Sequence, residues 1–181
     1  MPAPSPVTVL LNPAGGNAGQ PGTEATIAAR FHAVGIDARI ITLSREQSPT
    51  EAARTATAGA AAVIAAGGDG TVSAVAAGLV GSPTLLGVLP LGTLNHFAKD
   101  LHIPLELEAA VSVIAAGRVA RIDAGQVNDR VFINNSSIGI YPSVVEIREE
   151  LRRAGHAKWP AMAIATVRVL RHHHGDRKSV V

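Results

Sequence analysis

Residues 67–71 read Gly67-Gly68-Asp69-Gly70-Thr71, directly behind the apolar run Ala60 to Ala66 and directly ahead of an Ala/Val stretch of helical character. Three glycines, one acid and one hydroxyl at a strand-to-helix junction leave little choice but a tight turn with bare backbone. Glycine lets that backbone approach a ligand and take positive φ, and the N-terminus of the following helix favours negative charge. An Asp there can also hold a Mg²⁺ that phosphates need. The expectation is a chain that handles a nucleotide.

The flanking segments predict the sheet that such a turn requires. Val7 to Leu11 reads as a strand, ended by Asn12-Pro13-Ala14-Gly15-Gly16-Asn17, and Thr23 to Val34 carries helical periodicity. Ala38 to Leu43 is a second strand. After it, Ser48 suits an N-cap, Pro49 the first helical position and Glu51 the far side of a capping box, opening a helix to about Ala58. Ala61 to Ala66 is the third strand and Val72 to Leu79 the helix behind the glycine turn. Leu85 to Leu89 is the fourth strand, ending at Pro90-Leu91-Gly92-Thr93, with helices over Leu94 to Asp100 and Glu106 to Ala116. Strands separated by helices imply parallel pairing through right-handed crossovers. The predicted fold is α/β, an open and mostly parallel sheet with helices on both faces, whose ligands sit beyond the carboxyl ends of the strands. The turns at Asn12 to Asn17, Gly67 to Thr71 and Gly92 to Asn95 should then converge on one edge.

From Arg121 the pattern changes. Arg121 to Val127 and Arg130 to Ile138 alternate around Asn128-Asp129 as a hairpin would, and helices are predicted over Tyr141 to Ala154 and Pro160 to His172. The expected division is a nucleotide-binding α/β domain over 1–120 and, over 121–181, the start of an incomplete, truncated β-rich domain. The sequence has no internal repeat.

Composition narrows the function classes. Hydrophobic residues make up 47% but aromatics only 3%, so Ala, Val, Leu and Ile must build the core. The absence of cysteine excludes disulfides, a thiol nucleophile and thiolate metal sites, and agrees with a cytoplasmic location. Met1 to Pro6 has no signal-peptide pattern, and the apolar runs break before they reach membrane-span length, so no transmembrane segment is expected. Net charge is +2, with the basic surplus in the last third. Arg148, Arg152, Arg153, Lys158, Arg168, Arg171, Arg177 and Lys178 suit either a solvated face or anionic headgroups, at about 1 kcal/mol each near a charged membrane. Few aromatics and no recognised module argue against nucleic acid. His172 to His174 read as a solvated cluster, because consecutive helical residues point in different directions. Tyr141 and Trp159 read as packing residues.

Familiar phosphate motifs are absent. No lysine follows a glycine, so there is no P-loop, and neither G-x-G-x-x-G nor a protein-kinase catalytic loop occurs. Leu11-Asn12-Pro13-Ala14-Gly15-Gly16, Gly67-Gly68-Asp69-Gly70-Thr71 and Pro90-Leu91-Gly92-Thr93-Leu94-Asn95-His96-Phe97-Ala98, in that order and spacing, instead resemble the diacylglycerol kinase catalytic-domain family. That family includes bacterial lipid kinases and sphingosine kinases and is related in fold to NAD kinases. The resemblance covers about Val7 to Ala154.

It implies ATP-dependent phosphorylation of a lipid hydroxyl, diacylglycerol-like or sphingoid-like, by a protein peripheral to the inner face of the membrane, with a homodimer as one assembly. By similarity, Asn12, Pro13, Ala14, Gly15 and Gly16, with Gly67, Gly68, Asp69, Gly70, Thr71, Val72 and Ser73, line the phosphates. Thr42, Gly92, Thr93 and Asn95 complete the nucleotide site, Asn95 by shaping its loop. Asp69 is the expected catalytic and metal residue, organising Mg²⁺ through water.

Two departures accompany the likeness. His96 stands where many members carry Asp, and nothing matches the family's late Asp-Gly-Glu stretch, since Gly175-Asp176-Arg177 has another order. The missing base keeps a non-catalytic nucleotide-binding module open as an alternative. An NAD kinase-like enzyme is another, less compatible with Pro90 to Ala98.

Overall fold

A computed structural model describes residues 3–133 except Gly15 and Asp129. These residues belong to a compact unit, Met1–Asn134. The helices expected over 141–154 and 160–172, the histidine cluster, Trp159 and the eight basic residues from Arg148 to Lys178 lie outside the described residues, as does the hairpin beyond residue 133.

Four parallel strands form the central sheet: β1 (Val7–Leu11), β2 (Ala38–Thr42), β3 (Ala62–Gly67) and β4 (Leu85–Pro90), in the order β2-β1-β3-β4. The helices are α1 (Thr23–Ala33), α2 (Pro49–Ala56), α3 (Asp69–Leu79), α4 (His96–Asp100) and α5 (Leu107–Ala115). Every residue of β1 and β3 is buried, as central strands covered on both faces must be. Their side chains alternate between two cores. Val7, Val9, Leu11, Ile64 and Ala66 meet Ile27 and Phe31 of α1 and Ala110 and Val111 of α5. Leu10, Val63 and Ala65 meet Ala53 of α2, Val72, Val75 and Leu79 of α3, and Phe97. Helices therefore cover both faces, in agreement with the fold expected from the sequence.

Boundaries moved where the backbone demanded it. Helix α3 starts at Asp69 rather than Val72, because extended Gly68 serves as its N-cap. Helix α4 starts at His96 rather than Leu94, because Asn95 takes left-handed angles (φ 51°) that a helix interior cannot hold. Ser48 Oγ accepts the Glu51 amide at 3.4 Å, with Pro49 in the first turn, as predicted. The reciprocal half of the capping box is not made, since the Glu51 carboxylate pairs with Arg54 instead. Beyond α5, β5 (Gly125–Val127) and β6 (Arg130–Phe132) form an antiparallel ribbon across a turn with Asn128 at φ 46°. The strand expected from Arg121 begins only at Gly125, residues 121–124 having no ladder partner among the described residues.

Small residues let α2 and α3 approach closely. A Cβ added at Gly78 would overlap the Thr50 carbonyl oxygen and lie 2.8 Å from the Ala53 Cβ. Helix propensity alone would have Gly78→Ala stabilise α3 by about 1 kcal/mol. Overpacking against backbone costs about 1–3 kcal/mol and outweighs that gain. Denaturant unfolding should therefore show a net loss of stability in this variant; a net gain would remove the close-packing account.

Candidate functional site

The order β2-β1-β3-β4 reverses direction between β1 and β3, which makes the carboxyl ends of these two strands the topological switch point. Pairing aligns the ends: Leu11 lies opposite Thr42 on one side and Ala66 on the other, and Gly67 lies opposite Pro90. The first two turns expected to handle phosphate leave β1 and β3, and the third leaves neighbouring β4. All three stand on one rim.

They are also locked to one another. The Asn12 side-chain amide donates to Thr71 Oγ1 at 3.0 Å, joining the first turn to the second, while Asn12 Oδ1 accepts the Ala14 amide at 3.0 Å. The Asn17 amide donates to the Leu91 carbonyl at 2.9 Å, joining the first to the third. Gly16, at φ 59°, packs so tightly on the Leu91 carbonyl and Gly92 that no Cβ would fit. Gly68 and Gly92 face each other backbone to backbone, and a Cβ on Gly92 would overlap the Gly68 Cα. Glycine in these turns thus permits main chain to pack on main chain.

Asn95 builds the third turn as the sequence suggested. Buried to 7% exposure, it accepts the Gly92 amide through Oδ1 at 3.0 Å and donates through Nδ2 to the carbonyls of Pro90 and Gly92 at 3.1 and 2.8 Å. The side chain thereby ties the turn between Pro90 and Asn95 together, while the Asn95 carbonyl accepts the Lys99 amide at 3.1 Å.

Asp69 has a role that its sequence context did not reveal. Its Oδ2 accepts the His96 amide at 3.1 Å and its Oδ1 the Phe97 amide at 3.0 Å. The carboxylate of the glycine turn thus caps the N-terminus of α4, a charge-assisted arrangement favoured by the helix dipole. A carboxylate has about four lone-pair positions, so about two stay open to other partners. Among the described residues no group of three or more His, Asp or Glu side chains comes together. One carboxylate with open lone pairs is the kind of protein ligand a Mg²⁺ site uses beside phosphate oxygens and water. His96 contributes its backbone amide to the cap, and its side chain is exposed.

The remaining sequence-predicted residues divide by surroundings. No side chain caps the N-terminus of α3, and the space above Gly70 is open. Pro13, Ala14 and Thr93 are exposed on the rim and Ser73 is half-buried. Val72 sits in the core, and its amide is bonded to the Gly68 carbonyl at 3.0 Å, so it supports the turn from beneath. Gly15 lies outside the described residues. Thr42 ends β2 two strands from the glycine turn, its hydroxyl donating to Glu24 Oε2 at 2.7 Å. Sequence reading passed over Glu24; its one local signal was a first-turn acid in α1.

An open parallel α/β domain whose switch point is floored by interlocked glycine turns defines the class of this protein. The sequence pattern of the family described as Diacylglycerol kinase catalytic domain matches residues 6–127. The chain belongs to that family. A protein named Diacylglycerol kinase from Staphylococcus saprophyticus is 42% identical over 92 residues, a stretch covering 50% of this chain and 30% of that protein. One of the same name from Staphylococcus aureus strain Newman is 44% identical over 79 residues, covering 42% of this chain and 25% of that protein. The match thus spans under a third of the length of these curated relatives. A crystal structure described as a diacylglycerol kinase from Bacillus anthracis superposes with a TM-score of 0.63 at 22% identity, covering 85% of this chain and 55% of that one. This likeness supports the same fold.

Proposed function

We propose that this chain forms the ATP-binding part of a lipid kinase, in which the γ-phosphoryl group of ATP passes to a lipid hydroxyl, leaving ADP and a lipid phosphate. The observation that carries the reading is the convergence of the three glycine turns at the switch point. Family membership adds the reaction class, and diacylglycerol is the first acceptor to test because the curated relatives carry that name.

Phosphoryl transfer asks chiefly for alignment and for neutralisation of charge on the transferred group. In this reading the turn at Gly67 to Thr71 and the first turn of α3 hold the phosphates, the α3 dipole adding partial positive charge. Asp69 keeps an open lone pair toward Mg²⁺ through water, and the metal supplies charge neutralisation when bound. Thr42 and Thr93 meet the rest of the nucleotide. Among the described residues no helix is long and apolar enough to cross a membrane. A lipid acceptor resides in a bilayer, so it would be met at a membrane surface.

Titration calorimetry with ATP and Mg²⁺, followed by incubation with labelled ATP and vesicles holding diacylglycerol or sphingosine, or with NAD in solution, tests the reading. ATP binding that requires Mg²⁺, with label transferred to a lipid, is expected. Binding without transfer would reduce the function to nucleotide capture, and transfer to NAD would move the chain to another reaction. No binding at all would end the proposal.

A further inference from the structure

Thr42 and Glu24 form a pair whose hydrogen-bond polarity is fixed. A carboxylate offers only lone pairs, so in the 2.7 Å contact the Thr42 hydroxyl proton points at Glu24. What the threonine oxygen has left for any other partner is lone pairs as well. Both side chains are exposed, so the pair presents acceptors to solvent and no donor. The adjoining loop repeats the arrangement: the Ser44 hydroxyl donates to Glu46 Oε2 at 2.9 Å.

The position of the pair matters as much as its polarity. Thr42 lies opposite Leu11, which lies opposite Ala66. It therefore stands two strand spacings, roughly 10 Å, from the end of β3 on the same rim as the glycine turn. If the phosphates rest on that turn, the part of the ligand that reaches β2 is the nucleoside. A carboxylate there repels further phosphate and leaves uncharged donor groups as the complement.

We infer that Glu24 and Thr42 form an acceptor-only patch that selects hydrogen-bond donors of the nucleoside, either the ribose 2′-hydroxyl or the exocyclic amine of adenine. Glu24 acts as a positioning residue, by fixing the direction of the Thr42 proton. The inference rests on the nucleotide reading proposed above and adds to it the feature that would distinguish one triphosphate from another.

Calorimetry on the full chain with Mg²⁺ and ATP, 2′-deoxy-ATP or ITP, in which a carbonyl replaces the amine, tests it. The wild type should bind ATP roughly tenfold more tightly than whichever analogue lacks the recognised donor, the usual size of one good hydrogen bond. Glu24→Gln, whose side chain can donate or accept, releases the Thr42 proton and should bring that ratio to within about twofold with the melting temperature unchanged. Thr42→Val should lose the preference, and Thr42→Ser should restore it. A ratio in Glu24→Gln equal to that of a discriminating wild type overturns the inference, as does a wild type that treats all three nucleotides alike; in both cases ATP binding itself stands. A wild type that binds none of them overturns the nucleotide reading too.

Discussion

Asp69→Ala should lower the melting temperature and abolish nucleotide binding in one substitution. The carboxylate holds the amides of His96 and Phe97, so its removal leaves the α4 N-terminus uncapped. Bonds of this charge-assisted kind contribute about 1.5–3 kcal/mol each when buried and less when half-exposed, which suggests a total loss of about 2–3 kcal/mol. For a unit of this size the melting point should fall by about 10 °C. Asp69→Asn keeps one acceptor and should lose roughly half as much stability. A residue that served only as a metal partner would behave differently, with nucleotide binding lost in both variants and the melting point unmoved. Calorimetric melting of the two variants beside wild type makes the distinction, and an unshifted Asp69→Ala midpoint would remove the cap from the account. Loss of activity alone would not identify which role had failed.

Gly92→Ala and Gly70→Ala should separate the floor of the site from its working surface. A methyl group at Gly92 would overlap the Gly68 Cα and lie 2.8 Å from Asn95 Oδ1, with backbone on one side and a buried amide on the other. Neither can yield, so a stability loss of about 2–3 kcal/mol is expected, with nucleotide affinity falling as the turns separate. A methyl at Gly70 meets nothing within 4 Å. It should leave stability unchanged or raise it by up to about 1 kcal/mol, as Gly to Ala in a helix ordinarily does. It also occupies the space through which a phosphate would reach the first turn of α3, so ATP affinity should fall at least about tenfold. Parallel denaturant titrations and binding isotherms would show both variants losing ATP affinity but only Gly92→Ala losing stability. If Gly70→Ala bound ATP as wild type does, the phosphates would have to lie elsewhere on the rim.

Those contrasts also indicate what a single sequence can carry. Val7–Leu11 appeared at its predicted bounds because a β-rich run of Val, Thr and Leu between turn signals leaves one reading for a doubly covered strand. Parallel pairing and the shared rim followed from alternation of strand and helix. Asn95 was legible as a loop former, although the three bonds it makes depend on the turn having closed. The cap that Asp69 places on α4 spans 27 residues, and no local pattern encodes a contact at that separation. Glu24 was missed for the same reason, lying 18 residues from the hydroxyl it accepts. Glu51 shows the converse failure: a correct capping-box pattern lost its second half to Arg54, a competitor three residues along. Local chemistry marks where turns fall, and tertiary closure decides which partner each side chain keeps.

The bonds from Asn12 to Thr71 and from Asn17 to Leu91, together with the glycine contact beneath them, bring the three loops to rest before any ligand arrives. An incoming triphosphate would find peptide groups whose bearings were set during folding, and would have little disorder to quench on arrival. Because such a grip would reside in main chain, drift among the outward-facing side chains could retune which base or which alcohol is accepted while leaving the anchorage intact.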